Sequence, residues 1–474
     1  SLQSIVARNF LKKDRSLTFN YQPIYDESYG NTTLNTNYNY FLNQSINTRT
    51  SQKKNFQNFK MEHNASIIFV EPFTKKLKTE LSYNFMNNQT INNRKTVDST
   101  ATGFDLFNPV LSNNFNNTRI SNKIGAKLIY DVKKFRVSVG TAFRNVHQDY
   151  LNVTTGKKLA PLEVNNVLPS ASFNYRVNQG SQLTLSYAAS SQQPDIKQLQ
   201  PITDNADPNR ISIGNPALKA TFSNNFNLNY YFYKGISDRN FWSGATFNNT
   251  NNQITNSTSY DSQGRALSQP VNINGNFYGN FYLGGGFPIF KRFMKIYYNL
   301  NGSHSNNVSY VNNLKNISQN SGIGPGLTFE KANDKFEARV EGNYHYNVPK
   351  TNISERATQP YYTYDVNGSI LIKFPKKIAF SADGNYTNNG NRTPGYNLNY
   401  FIVNTSLSKT FLKSENLIVS FEANDVLNQN ISNQRNINTN QIIDTKTQII
   451  KRYFLFKVLL KLNSQKVKSE DDED

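Results

Sequence analysis

Four histidines (His63, His147, His304 and His345) and a scatter of carboxylates are the side chains from which catalysis or metal binding would have to be built. The histidines stand apart, without the short ligand spacings a metal needs. There is no cysteine, so thiolate ligands, cysteine nucleophiles and disulfides are excluded. Glu341, Asp383 and Glu422 are too scattered to make an acid–base pair by spacing. The glycine runs Gly322-Ile323-Gly324-Pro325-Gly326 and Gly284-Gly285-Gly286 lack the Lys-Ser/Thr and the helix of a phosphate loop. The expectation is therefore no enzyme: no catalytic residue, no cofactor and no metal.

Two other constellations invite specific work. The first is the segment 191–219, with Pro194, Pro201, Pro208 and Pro216 fixing φ and lowering the entropy of an ordered loop. Its polar candidates are Asp195, Gln198, Gln200, Asp204, Asp207, Asn209 and Asn215, with Pro194 at their head. Either it gates or contacts a ligand, or it is a rigid packing hinge. The second is a set of lysines at short turns: Lys12, Lys13, Lys75, Lys76, Lys133, Lys134, Lys376 and Lys377. They either keep the turns soluble by snorkelling or contact anionic lipid headgroups.

The elements that must position these residues follow a period of two. In 222–233 one face reads Phe222, Asn224, Phe226, Leu228, Tyr230, Phe232 and the other Ser223, Asn225, Asn227, Asn229, Tyr231, Tyr233. The stretches 182–189, 417–424 and 452–462 alternate in the same way, so these are strands with one apolar face. Short turns are centred at 12–14, 75–76, 131–134, 178–180, 234–235, 291–292, 332–334, 375–377 and 413–414. Longer polar connections lie between them at 90–113, 149–161, 191–219, 250–268, 306–314, 388–394 and 428–442. Short turns at one rim and long loops at the other are the layout of a transmembrane antiparallel β-barrel. A solenoid would repeat more tightly, and a soluble sandwich would not keep the two loop classes in turn. Flanking strands number about 19, an odd count for a bacterial barrel. This predicts an all-β domain over 1–463, part of a barrel of about 22 strands whose first strands precede Ser1. A miscounted hairpin in 28–55 is the alternative. The residues 464–474 end in Glu470-Asp471-Asp472-Glu473-Asp474, which reads as a solvated tail or a docking segment.

Composition fits the same reading. Of 474 residues 52 are Lys or Arg and 32 Asp or Glu, giving a formal net charge of +20. Hydrophobic residues are only 37%, with a mean hydropathy of −0.64, yet aromatics reach 13% with 28 Tyr and 33 Phe. Asn supplies roughly 70 residues, several times its usual share. A barrel needs only one apolar face, aromatic girdles and a wet interior lined by Asn, Ser and Thr. No apolar run approaches the roughly 18 residues of a membrane helix. The charge does not imply nucleic acid, because the lysines do not interleave with aromatics in a groove-sized cluster.

Several stretches resemble the TonB-dependent-receptor-like outer-membrane β-barrels common in Bacteroidota. They are Phe10-Leu11-Lys12-Lys13-Asp14-Arg15-Ser16-Leu17; Phe69-Val70-Glu71-Pro72-Phe73; Pro194 to Pro201 with Asp207-Pro208-Asn209 and Gly214-Asn215-Pro216-Ala217-Leu218-Lys219; and Phe421 to Asn428. They fall in order over most of the chain. The resemblance implies a bacterial outer-membrane protein with periplasmic short turns and extracellular long loops. It implies membrane lipids as partners, a small nutrient or metal-chelate substrate, and a surface lipoprotein or other complex subunits. It also implies an energising periplasmic partner reached through a plug. Nothing here resembles that plug or a TonB-contacting box, and the last apolar strand does not finish on an aromatic residue. A structural or scaffolding barrel within a larger complex is the alternative.

Overall fold

The computed structural model describes residues 3–38, 48–158, 160–201, 203–207, 209–261, 264–291, 293–353, 359–390, 397–412, 415–430, 433–437 and 442–462. Pro208, Arg292, Lys413, Ser414 and the acidic tail 464–474 lie outside the described residues. The strands form one 25-stranded sheet and a separate two-stranded sheet, Asn433–Ile437 with Ile442–Lys446. Six short strands belong to the long connections: Phe104–Phe107, Lys157–Lys158, Thr203–Asp207, Arg210–Ile213, Gln253–Tyr260 and Ala266–Ile273. Setting these aside, the 25-stranded sheet has nineteen wall strands among the described residues, as the turn spacing predicts. Among the described residues of 28–55, Ser28 pairs with Asn58 and Tyr38 with Thr48 in one unbroken antiparallel register.

The chain divides into two compact units. The first comprises Ser1–Asn229, Thr246–Tyr278 and Asn306–Ile317. Its wall runs antiparallel from Ser4–Asn9 through Ser16–Tyr38, Thr48–Pro72, Leu77–Ser99, Asn113–Asp131, Phe135–Asn152, Leu162–Asn178 and Ser181–Gln192. The period of two is visible in its burial. On Phe135–Asn152, Ala142, Val146, Gln148 and Tyr150 are buried, whereas Val139 and Phe143 are exposed. Register extends the exposed face sideways: Ile124, Phe143 and Val167 stand directly opposite one another and are 62%, 50% and 60% exposed. A continuous exposed apolar row on paired strands is what a lipid-facing wall requires.

The second unit comprises Tyr230–Ala245, Gly279–Ser305 and Ser318–Asp474. Its strands pair in chain order from Ser318 onward, through Phe336–Thr351, Tyr361–Phe374, Ile378–Gly390, Leu398–Phe411 and Leu417–Asn424 to Tyr453–Leu460. The ring row Tyr344, Tyr362, Tyr364, Tyr386, Phe401 crosses these strands with centroids 5.9–6.4 Å apart. Every residue of Tyr453–Leu460 is exposed.

The described short turns fall where the sequence places them. The long connections differ. Leu77–Ser99 and Thr48–Pro72 run for 23 and 25 residues, far beyond the roughly 9–11 that cross a bilayer. Much of 90–113 is therefore strand, and 250–268 overlaps a hairpin of Gln253–Tyr260 with Ala266–Ile273. The connection 306–314 reduces to Asn312-Asn313, both at positive φ (48° and 64°), a two-residue turn between long strands. Clear of a bilayer both strand faces are wet, so the ladder continues where the apolar alternation stops.

Candidate functional site

The segment 191–219 folds onto the covered face of the first unit. A single helical turn, Ile196–Leu199, begins at Asp195, whose N–H donates to Gln198 Oε1 at 2.9 Å. The turn buries Leu199, which packs with Leu218 against Tyr150 and is flanked by Leu162 and Ile254. Pro194 is fully buried. Asn215 is structural: its Nδ2 donates to the Pro270 carbonyl at 3.0 Å, and its Oδ1 accepts the Ala217 N–H at 2.9 Å. Asp207 closes the tip by accepting the Asn209 N–H at 2.9 Å. Of the sequence-predicted candidates, Gln198, Gln200 and Asp204 reach a common cavity; Pro194, Asp195, Asp207, Asn209 and Asn215 shape the loop around it.

That cavity, of about 520 Å³, is also lined by wall strands that contribute Lys54, Phe56, Asn92, Arg94 and Asn113. Arg94 ties wall to loop: its Nε donates to the Leu111 carbonyl at 2.9 Å, one terminal nitrogen to the Thr203 carbonyl at 3.0 Å, and the other lies 3.1 Å from Asp204. Asn113 donates to Gln200 Oε1 at 3.0 Å. Among the described residues this leaves Gln200 Nε2 buried without a hydrogen-bond partner, and Asn92 Nδ2 is in the same state. Buried N–H donors without acceptors are costly unless something else satisfies them. The cavity thus presents the amide donors of Gln200 and Asn92, and Lys54, Arg94, Lys197 and the Asp204 carboxylate line it with Phe56 as its aromatic wall. The wall residues Lys54, Arg94 and Asn113 were not legible as candidates, because nothing local marks them off from their polar surroundings.

The turn lysines separate into groups. Lys75, Lys76, Lys133 and Lys134 gather around a polar recess of about 590 Å³ with Arg136, Arg176, Asp14 and Asp131. Lys12 pairs with Glu71 at 2.6 Å, and Lys377 with Glu415 at 2.8 Å. Lys13 and Lys376 lie in the same turns as Lys12 and Lys377.

His63, His304, Glu341, Asp383 and Glu422 meet their partners in separate places, and one further histidine is an exception. His63 Nδ1 is 2.7 Å from Tyr21 Oη, and His304 Nδ1 is 2.8 Å from Ser321 Oγ. Glu341 takes Arg339 at 2.7 Å, Asp383 accepts from Asn404 at 2.8 Å and Glu422 takes Lys457 at 2.6 Å. The exception is His147, whose two ring nitrogens meet Glu163 and Asp149, the latter at 2.8 Å. Cross-strand pairing of His147 with Glu163 creates this clamp, so no linear spacing could reveal it. Among the described residues no group of His, Cys, Asp and Glu is arranged to hold a metal.

Residues 8–367 and 316–459 match the outer membrane protein beta-barrel family. A comparison with curated proteins found no match. Among solved structures, the ferric citrate transporter FecA in its unliganded form aligns with a TM-score of 0.51 at 10% identity, covering 96% of this chain and 61% of that one. The copper transporter OprC gives 0.42 at 9% identity over 97% and 79%. The RagAB peptide importer in its open-open state gives 0.36 at 9% over 90% and 70%. At such identities the FecA likeness speaks for the fold alone. An antiparallel wall with an exposed apolar face, matched over most of its length, places the molecule: the chain belongs to the outer membrane protein β-barrel family.

Proposed function

We propose that this chain forms the wall, lumen and long loops of a TonB-dependent-receptor-like transporter that takes up a small polar nutrient across the bacterial outer membrane. The observation that carries this reading is the folded segment 191–219. It is locked to the wall through Arg94 and Gln200 and lines an open cavity whose amide donors Gln200 Nε2 and Asn92 Nδ2 have no hydrogen-bond partner among the described residues. In this reading the long connections face outward, the short turns face the periplasm as barrels of this class do, and the turn lysines lie against anionic lipid headgroups. A plug carried by additional chain would couple the lumen to an energising partner. Further strands beside Ser4–Asn9 and Tyr453–Leu460 would bring the wall to about 22.

The exposure of all of Tyr453–Leu460 also suits a second reading, a scaffolding barrel whose edge is covered by another subunit. The two part on one experiment. The full-length protein and a variant with 195–213 replaced by a Gly-Ser linker are compared for uptake of labelled small nutrients, with and without a protonophore. Transport expects protonophore-sensitive uptake that the linker variant loses. Scaffolding expects no uptake by either and a stoichiometric subunit on native purification.

A further inference from the structure

The covered faces of Asn113–Asp131 and Phe135–Asn152 hold three cations in adjoining rows. Lys123 stands directly opposite Arg144, Ser121 opposite Val146 and Arg119 opposite Gln148. Directly opposed side chains have Cβ atoms about 5 Å apart, and like charges there are destabilising. The guanidiniums of Arg119 and Arg144 also repel each other. The flanking rows offer no carboxylate: Asn84, Met86 and Asn88 lie on one side, Asn166, Val164 and Leu162 on the other. Among the described residues none of the three cations makes an ion pair.

Nearby cations on the same face are treated differently. Lys127 is neutralised by Glu80 at 2.8 Å, and Lys60 by Glu62 at 3.1 Å. Arg144 is instead aimed by neutral groups: its Nε donates to Ser121 Oγ at 3.0 Å and a terminal nitrogen to the Ser191 carbonyl at 2.8 Å. Among the described residues Arg119 Nε is buried without a hydrogen-bond partner, and so is the hydroxyl of Ser191, a residue only 9% exposed. Lys123, Arg144, Ser121, Ser190 and Ser191 open onto one recess of about 420 Å³.

We propose that this recess is an oxyanion site, taking the carboxylate or phosphate oxygens of a small polyanionic solute in the lumen. An anion there relieves the opposed charges of Lys123 and Arg144 and gives the Ser191 hydroxyl an acceptor, and charge-assisted bonds to a guanidinium are the strong ones. This concerns binding at a different cavity from the one under segment 191–219, and it holds or fails whether or not the solute is carried across.

The test uses the whole chain in detergent micelles. Thermal unfolding and calorimetric titration are followed with sodium citrate, with sodium phosphate, and with sodium chloride at matched ionic strength. The wild type should show saturable binding and a raised midpoint with citrate or phosphate but not chloride, and the better of the two identifies the oxygen source. Lys123→Gln and Arg144→Gln should each weaken that binding at least about tenfold, and the double variant should abolish it. In chloride alone both variants should unfold at the wild-type temperature or above it, because a repulsion has been removed. Lys373→Gln, which breaks a pair with Glu337, should leave binding intact. Absence of a saturable response in the wild type overturns the proposal, as does an undiminished response in the double variant. So do variants that merely lower the midpoint in chloride while still binding.

Discussion

Arg15 grips Glu71 through two N–H···O bonds, Nε to Oε2 at 2.6 Å and Nη2 to Oε1 at 2.7 Å. Lys12 adds a third at 2.6 Å. The grip ties the first short turn to the end of the Thr48–Pro72 strand, beside the second short turn. Two cations hold the Glu71 carboxyl at about 2, well below its ordinary 4.5.

The sign of the pH dependence follows. A carboxyl whose value is depressed by folding adds stability that is fully present above its unfolded value and lost as pH falls through the folded one. Wild type and Glu71→Gln should differ in their urea midpoints at pH 6. The gap should narrow below about 4.5 and vanish near 2. A gap that stays constant down to pH 2 would show that the carboxylate charge is not what holds the turn.

Arg94 makes the longest-range side-chain link of the candidate site, from a wall strand to Thr203 and Asp204. Arg94→Ala should leave the Leu111 and Thr203 carbonyls without this donor and cost the loop about 1–3 kcal/mol. Amide hydrogen exchange across 203–213 should accelerate by roughly ten- to a hundredfold, while exchange in Phe135–Asn152 stays as in the wild type. Equal acceleration in both would mean that Arg94 supports the sheet and not the loop.

Gly214 touches the same loop from the backbone. A Cβ there would lie 2.1 Å from the Gln200 carbonyl oxygen and 2.7 Å from its carbon, and backbone cannot step aside as a side chain can. Gly214→Ala should therefore displace Gln200 from Asn113 and make the loop susceptible to limited proteolysis. Gly342→Ala, whose Cβ would meet nothing within 4 Å, should leave the digestion pattern unchanged. Matching patterns for the two variants would remove the argument for a close backbone approach.

How much of this could be read in advance depended on where lipid imposes a pattern. Ile124, Phe143 and Val167 face outward on successive strands because the bilayer admits only apolar side chains there. That demand wrote the alternation that marks strands, and the short turns between them made about nineteen countable. Away from the bilayer it lapses. Asn92, Asn93 and Arg94 lie in continuous strand yet read as loop, since wet faces impose no period. Gln200 and Asp204 were legible because prolines flag an ordered segment. Arg94 and Arg144 were not, for their partners stand 109 and 47 residues away and only strand register brings them near. Lys123 and Arg144 looked like ordinary polar residues until register set them opposite each other.

The assignment of faces is open to a direct optical test, because Trp242 is the only tryptophan. It lies on Arg239–Asn251 and shares its face with Asn240 and Gly244; its ring lies 2.8 Å from where a Cβ on Gly284 would stand. Phe247, of opposite parity on the same strand, belongs to a ring row with Phe226 at 6.3 Å and Phe277 at 6.0 Å and is 45% exposed. Trp242 should therefore face the lumen and Phe247 the lipid. In vesicles of brominated lipid the wild-type emission should be weakly quenched, and aqueous acrylamide should quench it well. With Trp242→Phe combined with Phe247→Trp, brominated chains should quench strongly and acrylamide weakly. Equal quenching of both proteins by brominated lipid would place both side chains on one face and contradict the alternation on which the wall is built.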